Sequence, residues 1–395
     1  MDSISPESSS MNAATAKHHQ EFPIKLTIER SVLLKSLSRL QSIVEKRNTI
    51  PILANIKLDA KDNSLQLTAT DMDLVAMETI PAQVSAGGAL TVPAQTFHDI
   101  VRKLPDGAQV ALDTDTSSAQ LIVKAGKAEF KLSYLPADDF PVMSEGKLTH
   151  TFTLPAKECV RLIEKCRFAM SAEETRYYLN GVYFHVAEGK GGQQLKAVST
   201  DGHRLARIEA PLPEGAAGMP GIIIPRKTVN ELSKILGEQG NEVEISLSET
   251  KIRFASGNVV LLSKLVDGTF PDYQRVIPSA NNKIMEVGTK QFSSAVDRVS
   301  TIATDRTRGI KFALGNGLLT LSAQSQEAGS ATEELEVTYS AEPLEIGFNS
   351  RYVLEMMGQL EGDTAQFVFS DSNAPALVSD PSDVTALYVI MPMRV

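Results

Sequence analysis

The residues with the greatest catalytic potential lie close together near the middle of the chain. Ser199, Asp201 and His203 are the residue types of a nucleophilic triad, and Arg204 follows them directly. Triad members normally come from distant positions and are brought together by the fold. Three such residues within five positions therefore do not predict a triad, and a lone histidine is more often structural.

The sequence lacks other motifs of catalysis or cofactor binding. It has no GxGxxG after a predicted strand, no GxxxxGK[ST] phosphate loop and no HExxH. The only two cysteines, Cys159 and Cys166, lie in a segment that we expect to be helical, and we interpret both as core thiols. We predict no catalytic residue, no metal and no cofactor.

Length and composition favour a large globular protein. The 395 residues amount to two or three domains of the typical ~150 residues, with 42% hydrophobic and 22% charged residues. No apolar run approaches the ~20 residues that cross a membrane, and the polar N-terminal stretch does not resemble a secretory signal, so we expect a cytoplasmic location. Residues 1–21 lack hydrophobic periodicity, which predicts a disordered tail.

From Phe22 onward, one order of elements recurs three times. Each copy opens with a strand and a helix, continues through a β-rich stretch to a second helix, and closes with alternating segments typical of a strand meander. The six predicted helices span 31–44, 93–104, 156–168, 225–236, 290–302 and 349–360, with Pro93 and Pro225 in first helical turns. The pattern predicts three similar α+β domains, at 22–149, 150–280 and 281–395.

The distribution of charge differs from the net charge. A net charge of −9 and a pI near 5.3 argue against a nucleic-acid-binding protein. However, the six windows around the predicted helices carry +9, and the rest of the chain carries −18. Solvated helix faces also favour Lys and Arg, so this pattern alone leaves open whether the helices form a basic functional face.

Five segments carry a specific family resemblance. They are RYYLNG (176–181), STDGHRLA (199–206), IIIPRK (222–227), SKLVDGTFPDYQRVIP (263–278) and YVIMPMRV (388–395). In this order and spacing they closely resemble the β sliding clamp family of bacterial DNA polymerase III, and the resemblance runs from about residue 22 to the end. It implies a non-catalytic processivity factor that encircles duplex DNA and tethers the replicative polymerase.

The resemblance also implies a DNA clamp fold and a head-to-tail dimer. Each of three repeated domains would place two helices on the inner face of a ring and antiparallel sheets on the outer face. A ring lined by six helices spaced ~9 Å apart would have a bore below ~10 Å, which is too narrow for a duplex. A ring lined by twelve would have a bore of ~25 Å, which exceeds the ~16 Å that the depths of the two B-DNA grooves add up to. Since fields decay over ~8 Å at physiological salt, a basic lining is compatible with a negative net charge.

By motif position, the resemblance assigns DNA contacts to five residues. These are Arg47, Arg176, Tyr177, Arg226 and Lys227. Arg and Lys neutralise phosphates, and Tyr can stack on an unpaired base at a primer–template junction. The alternative for Tyr177 is a core or loop role. Glu173 departs from relatives that have an uncharged amide at this position.

A groove for short client peptides of the Gln-Leu-x-Leu-Phe type is the second site that the resemblance implies. Its residues would be Leu179, Thr200, Gly202, His203, Arg204, Leu205, Pro271, Arg275, Val276, Val389, Met391, Pro392, Met393 and Arg394. Flexible methionines suit a wall that meets several partners. Two or three buried anchors at ~1.5–3 kcal/mol each predict micromolar or weaker binding. Ordinary edge-strand packing is the alternative for the C-terminal residues.

The resemblance further matches Phe130 and Leu132 of the first domain to Ile302 of the third as the dimer contact. Thr301 stands where a larger apolar residue is common in relatives, so the apolar part of this contact would be smaller.

Expected partners are duplex DNA, a second copy, the polymerase α subunit, the clamp loader, and other polymerases and repair proteins. Competing hypotheses are a hydrolase or transferase with a cleft around His203, and a protein-interaction module that does not bind DNA.

Overall fold

The computed structural model describes residues 23–45, 50–189, 191–236, 241–303 and 308–394. Within these ranges the chain forms six α-helices and 27 β-strands, which follow one another in three similar repeats. Short 3₁₀ turns at Pro51–Ala54, Ala137–Asp139, Glu174–Leu179 and Tyr273–Val276 complete the connections.

The first repeat contains two helices and ten strands. They are β1 (Lys25–Glu29), α1 (Arg30–Leu40), β2 (Asn55–Lys61), β3 (Ser64–Thr70), β4 (Leu74–Pro81), β5 (Gln83–Ala86), β6 (Gly88–Pro93), α2 (Ala94–Lys103), β7 (Gln109–Asp115), β8 (Gln120–Ala125), β9 (Ala128–Ser133) and β10 (Leu135–Pro136).

The second and third repeats follow the same plan. The second consists of β11 (His150–Pro155), α3 (Ala156–Arg167), β12 (Gly181–Gly189), β13 (Gly192–Thr200), β14 (Arg204–Pro211), β15 (Ile222–Pro225), α4 (Arg226–Leu236), β16 (Glu242–Leu247), β17 (Lys251–Ser256) and β18 (Val259–Lys264). The third consists of β19 (Lys283–Gly288), α5 (Thr289–Ser300), β20 (Gly309–Gly315), β21 (Leu318–Ser325), β22 (Gly329–Glu336), β23 (Thr338–Tyr339), β24 (Leu344–Asn349), α6 (Ser350–Met357), β25 (Thr364–Phe369), β26 (Ala376–Asp380) and β27 (Asp383–Ile390).

Every helix starts directly at the end of a strand, and this corrects two details of the sequence prediction. Pro93 and Pro225 are the last strand residues rather than members of the first helical turn; Pro93 has φ −56° and ψ 112°, which is extended. The first helix ends at Leu40 because the next residues form turns, and the last ends at Met357, before Gly358. Glycine disfavours helix continuation because it loses the most backbone entropy.

Two nine-stranded sheets join neighbouring repeats. One has the order β10-β6-β2-β3-β4-β18-β17-β16-β11, so that β4 of the first repeat pairs with β18 of the second. The other has the order β15-β12-β13-β14-β27-β26-β25-β19-β23, so that β14 pairs with β27 of the third. A five-stranded sheet, β5-β1-β7-β8-β9, and a four-stranded sheet, β22-β21-β20-β24, belong to the first and third repeats respectively.

The helices pack in three pairs against one face of these sheets. The contacts are α1 with α2, α3 with α4 and α5 with α6, and α3 touches strands of both nine-stranded sheets. Helix residues such as Leu37 and Phe97 belong to a continuous core, where each such side chain contributes roughly 1.5–3 kcal/mol. Cys159 and Cys166 lie in this core, and burial raises the pKa of the Cys159 thiol to about 12. In the described ranges, no helix has the length and apolarity to cross a membrane.

Candidate functional site

The STDGHR motif forms a rigid turn that starts β14. The Thr200 hydroxyl donates to the Arg204 carbonyl at 2.7 Å, and Asp201 Oδ1 accepts from the amides of His203 and Arg204 at 2.9 and 3.1 Å. Gly202 has a φ of +88°, and a Cβ there would lie 2.8 Å from Arg176 Nη1. The Asp201 carboxylate therefore serves the turn, in agreement with the prediction that this cluster is not a triad.

Arg204 links the second repeat to the third on the helix-bearing side of the sheet. Its side chain is 7% exposed; Nε lies 3.1 Å from Asp201 Oδ2, and Nη1 pairs with Glu355 of α6. The guanidinium lies between the rings of Phe168 and Tyr352, at 5.0 and 4.2 Å from their centroids. Burial would raise the pKa of Glu355, but hydrogen bonds from Arg351 and Arg204 lower it below its usual value.

We expect Arg204→Ala to lower the free energy of unfolding by roughly 2–3 kcal/mol, because it removes one of the two arginines paired with Glu355 and the guanidinium contact of partly buried Asp201. Urea unfolding followed by circular dichroism measures this change. Arg275→Ala is the matched control: this side chain is 86% exposed and pairs with Asp272, so its loss should stay within about 0.5 kcal/mol. Equal midpoints for the two variants would contradict the structural role of Arg204.

A separate apolar cluster lies on the opposite face of the same sheet. Leu205 and Val389 face each other across the β14–β27 pair, and their neighbours Ala206 and Tyr388 belong to the main core. Side chains alternate between the faces of a strand, so Leu205 and Val389 point away from the helices. The buried members of this outer cluster are Leu179, Val198, Leu205, Ile223, Phe270, Tyr273 and Val389.

An aromatic stack fixes the loop that covers the outer cluster. Phe270 stacks on Tyr183 at 4.8 Å, and Tyr183 stacks on His185 at 4.3 Å. The Tyr273 hydroxyl bonds with His185 Nε2 at 3.2 Å. Burial, aided by the charge of Lys196, lowers the pKa of His185 to about 4. The loop is thus attached to the sheet through a histidine that is neutral at pH 7.

This histidine should make the protein less stable in mild acid. With a pKa near 6.5 in the unfolded chain and about 4 in the folded protein, His185 favours proton uptake by the unfolded state as pH falls from 6.5 to 4. Between pH 7 and pH 5 this difference should lower the free energy of unfolding by about 2 kcal/mol. His185→Gln should remove that part of the pH dependence, measured by urea unfolding at both pH values. Parallel pH profiles of the two proteins would refute the assignment.

The structure divides the predicted peptide-groove residues into three groups. Leu179, Leu205 and Val389 are buried in the outer cluster, and Thr200 pairs with Leu205 on the same face. At the rim, Val276 is 45% exposed and Met391 is 37% exposed. The other rim residues are exposed Pro271 and Arg275, the turn residues Gly202 and His203, and Pro392, which follows Met391.

Arg204, Met393 and Arg394 do not share this arrangement. The Arg204 side chain points to the opposite face, so it can contribute to the groove only through its backbone. The Met393 amide donates to the Gly347 carbonyl at 2.8 Å, and Met393 and Arg394 line a 650 Å³ cavity at strands of the four-stranded sheet. The sequence could not separate these residues, because the separation depends on pairing between distant strands.

A second cavity, of 570 Å³, lies on the helix-bearing side between the second and third repeats. Its walls include Arg167 of α3, Arg226 of α4 and Arg351 of α6, together with Arg204 at the start of β14. Arg226 Nη1 donates to the Ser171 carbonyl at 3.1 Å. Arg226 is a predicted DNA contact, whereas Arg167 and Arg351 were not predicted to be contacts. For Arg167, the positive charge of its helical window was the available indication; the window of residues 349–361 around Arg351 carries −1 and gave none.

The other predicted DNA contacts have different surroundings. Lys227 pairs with Asp71 and donates to the Ile43 carbonyl at 3.0 Å, so it connects the second repeat to the first. Arg176 makes two hydrogen bonds with Glu173, at 2.7 and 2.8 Å. Tyr177 is 54% exposed, which argues against a core role, while Arg47 lies outside the described residues.

The predicted dimer residues lie at the two outer sheets. Half-buried Phe130 and buried Leu132 are on β9, the edge strand of the five-stranded sheet. Exposed Thr301 and half-buried Ile302 follow α5, which packs against β21 and β22 of the four-stranded sheet.

Comparison with known proteins finds matches along nearly the whole chain. Family models for the N-terminal, central and C-terminal domains of the DNA polymerase III beta subunit match residues 24–144, 153–272 and 274–394. The chain belongs to the DNA polymerase III beta subunit family. The beta sliding clamp of Caulobacter vibrioides is 50% identical over 94% of this chain and 100% of the relative, and that of Escherichia coli K12 is 37% identical with the same coverage.

Solved clamps share the fold of this family member. A Bartonella birtlesii sliding clamp bound to griselimycin has a TM-score of 0.92 and 49% identity, covering 94% of this chain and 100% of that clamp. The C. crescentus clamp, with PEG bound to a proposed beta-motif tethering region, has the same score and identity over 95% of this chain and all of that clamp. The chain is thus a sliding-clamp processivity factor of DNA replication, without catalytic activity of its own.

Proposed function

We propose that two copies of the chain close head to tail through β9 of one copy and β22 of the other, and that the resulting ring encircles duplex DNA. The observation that carries this proposal is the repeated strand pairing at the two junctions within the chain. At the first junction, β4 pairs with β18. In its own repeat, β4 is the third strand after the first helix, and β18 is the last strand of the meander that closes the next repeat.

The second junction uses the equivalent strands, β14 and β27, again antiparallel. The equivalent strands at the two ends are β22 and β9, and both are sheet edges in the described part of the chain. An exposed edge strand is a template for pairing with another chain. Two β22–β9 contacts would give six equivalent junctions, and a head-to-tail contact that closes makes a ring.

The charges of the two edges are compatible with this pairing. Lys124, Lys127 and Lys131 lie on or next to β9 and outnumber Glu129, with which Lys124 and Lys131 pair. The facing strand β22 carries Glu333, Glu334 and Glu336, of which Glu333 pairs with Arg298. Opposite charges on approaching surfaces favour the correct orientation of the partners. The apolar part of the contact would come from Phe130 and Ile302.

Inside the ring, the helix-bearing side would face DNA. The cavity arginines, notably Arg226, Arg167 and Arg351, would meet phosphates. Phosphate contacts carry no sequence information, so such a ring can slide. Retention would then come from encirclement rather than from affinity.

On the outside, the outer cluster with its rim at Val276 and Met391 would bind client peptides. A buried apolar floor beside exposed apolar side chains suits the anchoring residues of a Leu-x-Leu-Phe segment. The ligand-bound Bartonella and Caulobacter clamps support a binding groove in this family. The polymerase, the clamp loader and repair proteins would all bind in this groove. The clamp would act in the cytoplasm.

Loading onto nicked circular DNA followed by linearisation tests encirclement. We expect the clamp to stay on the closed circle through gel filtration at 0.15 M salt and to leave the cut molecule within the same run, because a ring slides off free ends. Equal retention on both forms would contradict the proposal. No retention on either form would favour the interaction module that does not bind DNA.

A further inference from the structure

The junction between the first and second repeats has the same apolar arrangement as the proposed client groove. The strand register defines which positions correspond. Asn55 pairs with Pro93 as Gly181 pairs with Pro225, so Leu53, two residues earlier, corresponds to Leu179. At the junction itself, Val75 faces Leu262 as Leu205 faces Val389.

The turns that start β4 and β14 share the same side-chain-to-backbone hydrogen bonds. The Thr70 hydroxyl donates to the Leu74 carbonyl at 2.9 Å, and Asp71 Oδ1 accepts from the amides of Asp73 and Leu74 at 2.9 and 2.7 Å. Met72 takes the place of Gly202, with a φ of +79°. The Lys264 amide donates to the Asp73 carbonyl, as the Met391 amide donates to the His203 carbonyl, both at 2.8 Å.

The covering loops correspond as well. Leu135 pairs with Thr91 of β6, and the Val266 amide donates to the Ile223 carbonyl of β15. Each contact is followed in sequence by a Phe-Pro pair: Leu135 by the pair that starts at Phe140, and Val266 by the pair that starts at Phe270. The corresponding floor residues Leu53, Val75, Phe140 and Leu262 are 3%, 6%, 4% and 1% exposed, and all four lie outside the main core.

Exposed apolar side chains concentrate around these two junctions. Among the described residues, nine large hydrophobic side chains are exposed, and Tyr177, Val276 and Met391 lie in segments of the client groove. Four others, Ile50, Met72, Leu135 and Val142, lie in the equivalent segments of the first junction, at 48%, 49%, 38% and 87% exposure. Such a grouping on a soluble surface marks an interaction site.

The charge of the first junction differs from that of the client groove. Its rim carries Asp73, with a side chain 77% exposed, together with exposed Asp138 and Asp139; Lys264 pairs with Asp73 at 2.9 Å. The client groove has His203 and Arg275 in its rim, and its exposed carboxylates are Asp267 and Asp272, of which Asp272 pairs with Arg275, so this rim carries less net negative charge. The occupant of the first junction should therefore be basic.

We propose that the junction of the first and second repeats is a second peptide groove, which binds a short segment with one or two large apolar anchors flanked by Lys or Arg. The proposal uses the proposed client groove as its template, but its floor, rim and charge are its own. A clamp subunit would then offer two grooves with different charge preferences. Partners with basic peptides could dock while the client groove is occupied.

The test uses two fluorescein-labelled, capped peptides, Lys-Lys-Ala-Leu-Ser-Leu-Phe-Lys-Lys and the same peptide with Glu in place of Lys. Binding is measured by fluorescence anisotropy on full-length clamp and on a clamp without residues 391–395, which lacks part of the client groove. We expect the shortened clamp to bind the Lys peptide at least tenfold more tightly than the Glu peptide. Met72→Gly, which removes an apolar side chain without straining a positive φ, should weaken Lys-peptide binding about five- to tenfold.

Hydrogen exchange with the Lys peptide bound should show protection at 50–54, 70–75 and 135–142. No binding of the Lys peptide, protection confined to other segments, or an unchanged affinity in Met72→Gly would overturn the second groove. A separate titration with Gln-Leu-Ser-Leu-Phe reports on the client groove. Its failure to bind full-length clamp would count against the proposed function, whatever the Lys peptide does.

Discussion

A clamp with Phe130→Asp is expected to sediment as a monomer at concentrations where the unchanged protein is a dimer. Phe130 is half-buried on the edge strand β9, where the proposed partner strand would cover it. An unpaired charge buried in such a contact costs roughly 3–5 kcal/mol, which is a loss of about two to four orders of magnitude in affinity at each of the two contacts. Sedimentation velocity over a concentration series measures the change.

The same variant should also lose retention on closed circular DNA, because a monomer cannot encircle it. Val384→Asp is the control, since Val384 is 82% exposed near the start of β27 and lies away from both edge strands. It should leave mass and retention unchanged. Circular dichroism checks that both variants fold. A folded Phe130→Asp protein that remains a dimer would exclude the β9 edge from the contact.

The three-repeat organisation could be predicted from sequence because its determinants are local. Apolar spacing at 3.6 residues gave the helices such as α3 to within two residues, and alternation gave the closing meanders. Helix ends were less accurate: α1 stops at Leu40, and α6 stops before Gly358, where local turn formation competes with helix extension. The two nine-stranded sheets depend on pairing between strands more than 170 residues apart, such as β4 with β18, which local patterns do not encode.

The site residues show the same division. The STDGHR motif predicts a turn, but only the fold shows that Arg204 points to the helix side while Leu205 points to the outer face. Lys227 was predicted to contact phosphates, and in the structure its ammonium group pairs with Asp71 of the preceding repeat. A basic side chain has the same sequence signature in both roles, because the identity of its partner is a long-range property.

Ion pairs on the helix side are consistent with a sliding ring. Arg176 pairs with Glu173, Arg351 with Glu355 at 2.7 Å, and Arg167 with Glu164 at 3.1 Å. Each carboxylate offsets part of the positive field that a phosphate would meet. In the proposed ring, weak and exchangeable phosphate contacts would favour movement along the duplex, and topology would supply the retention.

Deletion of residues 391–395 is expected to abolish measurable binding of Gln-Leu-Ser-Leu-Phe to the client groove, with at least a 100-fold loss. Met391 is the exposed apolar residue next to the outer cluster, and its amide bonds with the His203 carbonyl at the turn that borders the groove. The deletion removes this wall but leaves β27, which ends at Ile390, paired with β14. Anisotropy of the labelled peptide measures the affinity.

A shorter deletion, of residues 394 and 395 only, is the matched control. Arg394 lies at the cavity beside the four-stranded sheet, away from the outer cluster, so this deletion should change peptide affinity less than twofold. Both deletions should leave the dimer intact by sedimentation, because neither removes a residue of β9 or β22. If the longer deletion binds the peptide as tightly as the shorter one, Met391 does not form a wall of the groove, and the peptide must dock against the loop around Val276 alone.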